Sequence, residues 1–134
     1  MGACAKRRTG SPMGAEPETP ERRSGHATVA AAAATPLTDD ISVHVLKHGT
    51  MELEYYAPRG SDPQKPHARD ELYVIITGRG MFRNGEKRHP FGPGDVLFVP
   101  AGVEHRFEEF SDDFATWVIF WGPKGGEHDT SPSS

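Results

Sequence analysis

From Ile41 to Gly122 apolar and polar residues follow one another with a period close to two. "ISVHVL" (41–46) alternates, and "MELEYYA" (51–57) sets Met51, Leu53 and Tyr55 on one face and Glu52, Glu54 and Tyr56 on the other. "ELYVIIT" (71–77) is a continuous apolar run closed by "GRG", the pattern of a strand buried on both faces. "MFRNGEKRH" (81–89) places Asn84-Gly85 between two short extended pieces, which predicts a tight hairpin. "DVLFVP", "EHRFEEF" and "FATWVIFWG" follow, the last with Trp117 and Trp121 on a shared face. Seven or so short strands separated by turn residues, with no amphipathic helix and no repeat, predict an all-β sandwich or barrel.

Both ends of the chain read differently. Residues 1–38 have no aromatic side chain and no apolar periodicity. They are rich in Ala, Pro, Gly, Ser, Thr and Arg, a composition that cannot bury enough surface to offset ordering. The Ala30–Ala34 run predicts at most a transient helical turn before Pro36. The last residues, "GPKGGEHDTSPSS", have the same character. The organisation expected is a disordered tail over 1–38, one barrel domain over 39–124 and a disordered tail over 125–134.

Charge narrows the choice of partners. The 134 residues carry a net charge of -4. Residues 1–38 hold five Lys/Arg and three Glu, so the remainder carries the acidic excess and has no electrostatic footprint for nucleic acid. No apolar run approaches the length of a membrane span, and no secretory h-region is visible. A single cysteine, Cys4, excludes an internal disulfide framework and a cysteine-based metal site. A cytoplasmic protein without nucleic-acid or membrane partners is expected, and the edge strands of an open barrel make a homodimer the expected assembly.

The candidate chemistry lies at two punctuated strands. Gly92-Pro93-Gly94 and Pro100-Ala101-Gly102 supply sharp corners on either side of "DVLFV". His105 follows the second corner. If it points inward, Phe107 and Glu109 share its face, and Arg106, Glu108 and Phe110 face out. Upstream, His67 precedes the most apolar strand and Glu71 heads it, with Tyr73, Ile75 and Thr77 on the same face. A carboxylate at the head of a buried run is costly unless it is paired, hydrogen-bonded or metal-bound. A lone histidine at a strand end is ordinarily a surface residue; two of them with this glutamate make a different case.

These residues resemble the cupin family, in its small single-domain, conserved-barrel form. The family's second motif, G-x5-P-x-G-x2-H-x3-N, is matched by Gly94, Pro100, Gly102 and His105, with Glu109 in place of the asparagine. Its first motif, G-x5-H-x-H-x3or4-E-x6-G, is matched by His67, Glu71 and Gly78. The leading histidine of that motif is absent, and Lys65 or Gln64 stands there depending on the spacing used. The resemblance covers about residues 42–122 and implies a double-stranded β-helix, or jelly-roll barrel.

It also implies a metal site at His67, Glu71 and His105. Gln64 is a candidate fourth ligand if a bulge at Pro66 turns it inward, since an amide oxygen can bind a borderline cation and a lysine ammonium cannot. Two histidines and a carboxylate leave coordination positions open and suit Fe(II), with Mn, Ni, Co or Zn as alternatives. Tyr73, Phe98, Phe107, Trp117 and Phe120 would form core or pocket walls. The functional expectation is a metal-dependent, oxygenase-like enzyme acting on a small organic molecule in the barrel. A non-enzymatic small-molecule-binding or sensor protein, and an isomerase or cyclase of sugar or polyketide metabolism, are the alternatives.

Overall fold

A computed structural model describes residues 25–36 and 42–128. Eight strands run β1 (Ser42–His48), β2 (Met51–Tyr56), β3 (Asp70–Thr77), β4 (Gly80–Asn84), β5 (Lys87–Phe91), β6 (Val96–Val99), β7 (His105–Glu108) and β8 (Ala115–Trp121), preceded by helix α1 (Val29–Ala34). They form two antiparallel sheets, one in the order β1-β2-β8-β3-β6 and the other β5-β4-β7. Two facing sheets with almost no helix are the jelly-roll architecture that the strand pattern predicted. Among the described residues no helix is long and apolar enough to cross a membrane.

Register explains which residues meet inside. Glu52 pairs with Phe120, Phe120 with Glu71, and Glu71 with Val99. One row further along, Glu54, Val118, Tyr73 and Leu97 line up in the same way. Both rows face the barrel interior, so the polar face of β2 is turned inward, toward one end of the barrel. The rest of the interior is aromatic. Phe107 lies 4.7 Å from Phe82, 4.6 Å from Phe114, 4.9 Å from Tyr73 and 5.3 Å from Phe91, ring centre to ring centre. These edge-on and tilted contacts are the favoured aromatic geometries, and all five rings are buried.

The opposite face of the larger sheet is apolar as well. Tyr55 meets Trp117 edge-on at 5.9 Å. Tyr55, Ala57 and Ala115 pack with Ala32 of α1, and Val43, Val45, Ile76 and Trp117 flank them. The polyalanine run is therefore a helix with a foothold on the sheet. Thr28 caps it by accepting from the Ala31 N–H at 3.1 Å, and it ends at Thr35, before Pro36. At the other end of the chain, the Gly125 N–H donates to the Ala68 carbonyl at 2.7 Å and the Glu127 N–H to Asp70 at 2.9 Å, so the described residues are held in place as far as Glu127.

Several local expectations change. In the β4–β5 hairpin, Asn84 pairs with Lys87, so the central residues are Gly85 and Glu86, not Asn84 and Gly85. Gly85 takes the positive φ of 65°, while Asn84 ends its strand and donates to the Phe98 carbonyl at 2.9 Å. Phe98 is not a pocket wall. Leu97 and Val99 take the inner face of β6, leaving Phe98 48 % and Val96 58 % exposed. Glu109 does not continue the inward face of β7, because the strand stops at Glu108 and Glu109 adopts φ 53°. Arg106 faces out of the barrel as expected, and its guanidinium donates to the Asp62 carbonyl.

Two predictions follow from the outer face and the end of β7. Ala32 is 5 % exposed while its neighbour Ala33 is open to solvent. Ala32→Glu should cost about 1–3 kcal/mol by burying an unpaired carboxylate, and Ala33→Glu should cost almost nothing; equal melting temperatures for the two variants would show that α1 does not pack. Glu109 holds a left-handed conformation that asparagine tolerates better. Its contact with Arg88, 3.4 Å long, is solvent-exposed and contributes little. Glu109→Asn is expected to stabilise the fold by about 0.5–1 kcal/mol, and a lower midpoint in urea would contradict this.

Candidate functional site

The four residues singled out in the sequence converge at the end of the barrel where β2 turns its glutamates inward. His105 opens β7 and is 1 % exposed. Its Nδ1 lies 3.0 Å from the Val103 carbonyl, which can only accept, so Nδ1 carries the proton and Nε2 presents a lone pair to the interior. That Nε2 is 3.4 Å from Glu71 Oε1, and His67 Nε2 is 3.8 Å from the same oxygen. The three side chains place their ligand-type atoms within 4.8 Å of one another. Phe120 covers the His67 ring edge-on at 4.9 Å.

His67 is not on a strand. It sits in the loop before β3, and its carbonyl accepts from the Gly102 N–H at 2.7 Å. This bond ties the corner before β7 to the loop before β3, and so fixes the two histidines relative to each other. Gly102 has φ 81°, a conformation glycine adopts without penalty. Asp70 reinforces the junction by accepting from the Ala101 N–H at 2.9 Å.

Gln64 joins the cluster and Lys65 does not. Gln64 Oε1 lies 3.2 Å from His67 Nε2 and accepts from the Tyr73 hydroxyl at 2.9 Å, while Lys65 is exposed. A bulge at Pro66 is not what turns Gln64 inward. Residues 61–69 form no strand; instead Asp62 accepts from the Gln64 backbone N–H at 3.1 Å and from its side-chain amide at 3.0 Å. That second bond fixes which end of the amide is nitrogen and leaves the oxygen facing the cluster.

Asp62 is the residue that sequence reasoning missed. It is 2 % exposed and accepts also from the Phe107 N–H at 2.8 Å and from the Tyr56 hydroxyl. The signal was present: an aspartate two residues before the residue in question, in a proline-bearing loop, is the pattern of an Asx turn.

The electrostatics of the cluster are those of a carboxylate out of water. Burial pushes the Glu71 carboxyl up to about 8, the Glu54 and Asp62 charges add to the rise, and a hydrogen bond with Tyr73 opposes it. Burial also moves the Tyr73 hydroxyl well upward and both imidazoles downward, with His105 adding to the effect on His67. Glu71 Oε2 and His105 Nε2 are buried with no hydrogen-bond partner among the described residues. Each of these atoms is costly to bury unless a further group satisfies it.

A cleft leads to the cluster. Its inner part, about 190 Å³, is lined by Ser42, Glu54, Tyr56, Gln64, His67 and Phe120, among others. Its outer part, about 340 Å³, shares Ser42, Glu54, His67 and Phe120 and adds His44, Glu52 and Arg69. Arg69 lies over the Phe120 ring and donates to the Thr50 carbonyl at 2.7 Å.

Fold and site together define a small barrel with a histidine–carboxylate cluster at one end. The sequence pattern of the cupin domain family matches residues 52–121, and the chain belongs to that family. An uncharacterized protein of Streptomyces coelicolor is 35% identical over 88 residues, covering 64% of this chain and 84% of that protein. An acireductone dioxygenase of Rhodopseudomonas palustris is 31% identical over 108 residues, covering 65% of this chain and 66% of the dioxygenase. The crystal structure of a cupin 2 conserved barrel domain protein from Salinispora arenicola superposes with a TM-score of 0.58 at 20% identity, over 75% of this chain and 89% of that one. Matches to mannose-6-phosphate isomerases and to transcriptional regulators span a third or less of those proteins' lengths.

The pH dependence of stability tests the burial of Glu71. The folded chain keeps this proton up to about pH 8, whereas the ordinary value is 4.5. The folded state therefore binds more protons between those values, and its stability falls as pH rises through that window. Both histidines are shifted down from 6.5, so their effects lie below that pH. In the presence of a chelator the melting temperature is predicted to drop as pH rises from 6.5 to about 8, and Glu71→Gln should remove most of the drop. An unchanged drop in Glu71→Gln would assign it to another group.

Proposed function

We propose that the chain binds one divalent transition metal through His67, Glu71 and His105, with Gln64 as fourth ligand, and acts as an oxygenase-like enzyme on a small organic molecule. The observation that carries this reading is the pair of buried, unpartnered atoms, Glu71 Oε2 and His105 Nε2, in the cluster beneath the cleft. A cation held by the Glu71 carboxylate and His105 Nε2 would relieve the cost of burying both groups. The donor set fits: two imidazole nitrogens, a carboxylate and an amide oxygen suit Fe(II), Mn, Co, Ni or Zn. Donor-to-donor spacings of 3.2, 3.4 and 3.8 Å are close to those of neighbouring ligands, about 3 Å apart when each bond is about 2.1 Å. Similarity to an acireductone dioxygenase supports the oxygenase class.

When bound, the metal would polarise substrate oxygens or activate dioxygen. The chain's own residues supply the rest. The Val103 carbonyl holds the His105 tautomer with its free nitrogen inward. Asp62 orients the Gln64 oxygen. Glu71 supplies the negative charge that offsets the cation. Phe120 and Val118 provide an apolar wall that limits water at the cluster. The same reading takes the protein as a homodimer, supported by the apolar Val96 and Phe98 exposed on edge strand β6.

Metal content after purification without chelators tests the site, and oxygen uptake against small diketones and phenols tests the chemistry. We expect close to one ion per chain. His105→Ala should weaken Mn(II) or Fe(II) binding by at least about tenfold, and Gln64→Ala by less, because a neutral oxygen is the weaker donor. Lys65→Ala should be silent. Equal, substoichiometric metal in wild type and His105→Ala would overturn the metal reading, and metal binding without oxygen uptake would overturn the oxygenase class.

A further inference from the structure

Gln64 is held from both ends. Asp62 Oδ2 accepts from its Nε2 at 3.0 Å, and the Tyr73 hydroxyl donates to its Oε1 at 2.9 Å. Both partners are themselves fixed. Asp62 is 2% exposed and takes three further donors, the Gln64 and Phe107 backbone N–H groups and the Tyr56 hydroxyl. Tyr73 is wholly buried on β3, its ring 4.9 Å from Phe107, 5.7 Å from Phe82 and 6.0 Å from His105. A side chain at position 64 therefore meets an acceptor on one side and a donor on the other.

Few side chains satisfy both and still offer a lone pair to a metal. An amide does. Its N–H answers Asp62, and its oxygen has two lone pairs, one for the Tyr73 hydroxyl and one for a cation. A neutral imidazole has one N–H and one lone pair. With the N–H given to Asp62 and the lone pair taken by Tyr73, nothing is left to bind. A carboxylate has no proton to donate and would stand against the buried Asp62 charge. The cupin pattern has a histidine in this place, and the departure at Gln64 is matched to its two neighbours.

We infer that Tyr73 is a positioning residue that selects the metal ligand: together with Asp62 it admits an amide oxygen at position 64 and excludes an imidazole. The inference rests on the proposed function in taking Gln64 as the fourth ligand. Tyr73 acts through Gln64, by fixing the rotation of the amide so that its oxygen stays beside His67 Nε2, 3.2 Å away.

The test is a double-mutant cycle in the full chain, read by Mn(II) titration after chelator treatment. Imidazole is the stronger donor for a borderline metal, so without the clamp Gln64→His would bind Mn(II) at least as tightly as wild type. With the clamp, Gln64→His should bind about tenfold or more weakly. Adding Tyr73→Phe, which keeps the ring and removes only the hydroxyl, should restore binding to within about threefold of wild type. Tyr73→Phe alone should weaken it. Lost packing would lower affinity in both backgrounds, whereas the clamp requires a loss in one and a gain in the other.

Melting temperatures in chelator show that each variant is folded, and NMR adds a readout that needs no metal. In metal-free Gln64→His the nitrogen shifts of the introduced imidazole should show one protonated nitrogen and one accepting a hydrogen bond, and Tyr73→Phe should move the second alone. Gln64→His binding as tightly as wild type would mean that Tyr73 turns its proton to Glu71, its other acceptor, and would overturn the inference. So would a Tyr73→Phe effect of the same sign in both backgrounds, or an acceptor nitrogen that Tyr73→Phe leaves unmoved. A wild type that binds no Mn(II) removes the metal reading and this inference with it, whereas any of the preceding results beside normal wild-type binding removes this inference alone.

Discussion

The buried carboxylate of Asp62 is the constraint on which the site depends. A carboxylate out of water is unfavourable unless its lone pairs are taken up, and here four donors take them. Two belong to Gln64 in its own loop, one is the Tyr56 hydroxyl on the larger sheet, and one is the Phe107 N–H on the smaller sheet. The loop before β3 is thereby tied to both sheets at once. Phe107, which donates that N–H, also carries the ring at the centre of the aromatic core. Core packing and site geometry therefore share one residue.

From that point the cluster is built by backbone rather than by side-chain reach. The His67 carbonyl meets the Gly102 N–H, and Asp70 holds Ala101 and Glu127. β3 lies between β8 and β6, so Glu71 is fixed by ladders on both sides. Each donor is held by something other than its neighbours in the cluster, which is what preorganisation requires.

The parts of this that were legible in the sequence are those governed by period and spacing. The strands announced themselves through alternation and punctuation. His67, Glu71 and His105 stood out because a carboxylate at the head of a buried run, with a histidine four residues before it, and a histidine after a Pro-Ala-Gly corner are each unusual. Gln64 and Lys65 could not be separated by spacing, since the answer came from hydrogen bonds to Asp62, a residue that carries no periodic signal. Alternation showed that Glu52, Glu54 and Tyr56 share a face of β2 but not that this face turns inward. Phe98 and Glu109 were misplaced for a related reason. Period two assigns faces only while a strand continues, and says nothing about whether an apolar outer face is covered.

The bond between the His67 carbonyl and the Gly102 N–H has a consequence for how such a protein can change over generations. It is made by backbone atoms, so the spacing of the two histidines does not depend on the side chains at positions 65, 68 or 103. β2 contributes none of the four clustered residues, yet it presents Glu52, Glu54 and Tyr56 to the approach. Substitutions at Glu52 and Glu54 can therefore alter the approach while Tyr56, through Asp62, and the backbone bond keep the cluster in place. A fold divided in this way can change the lining of its cleft by small steps without moving the cluster beneath it.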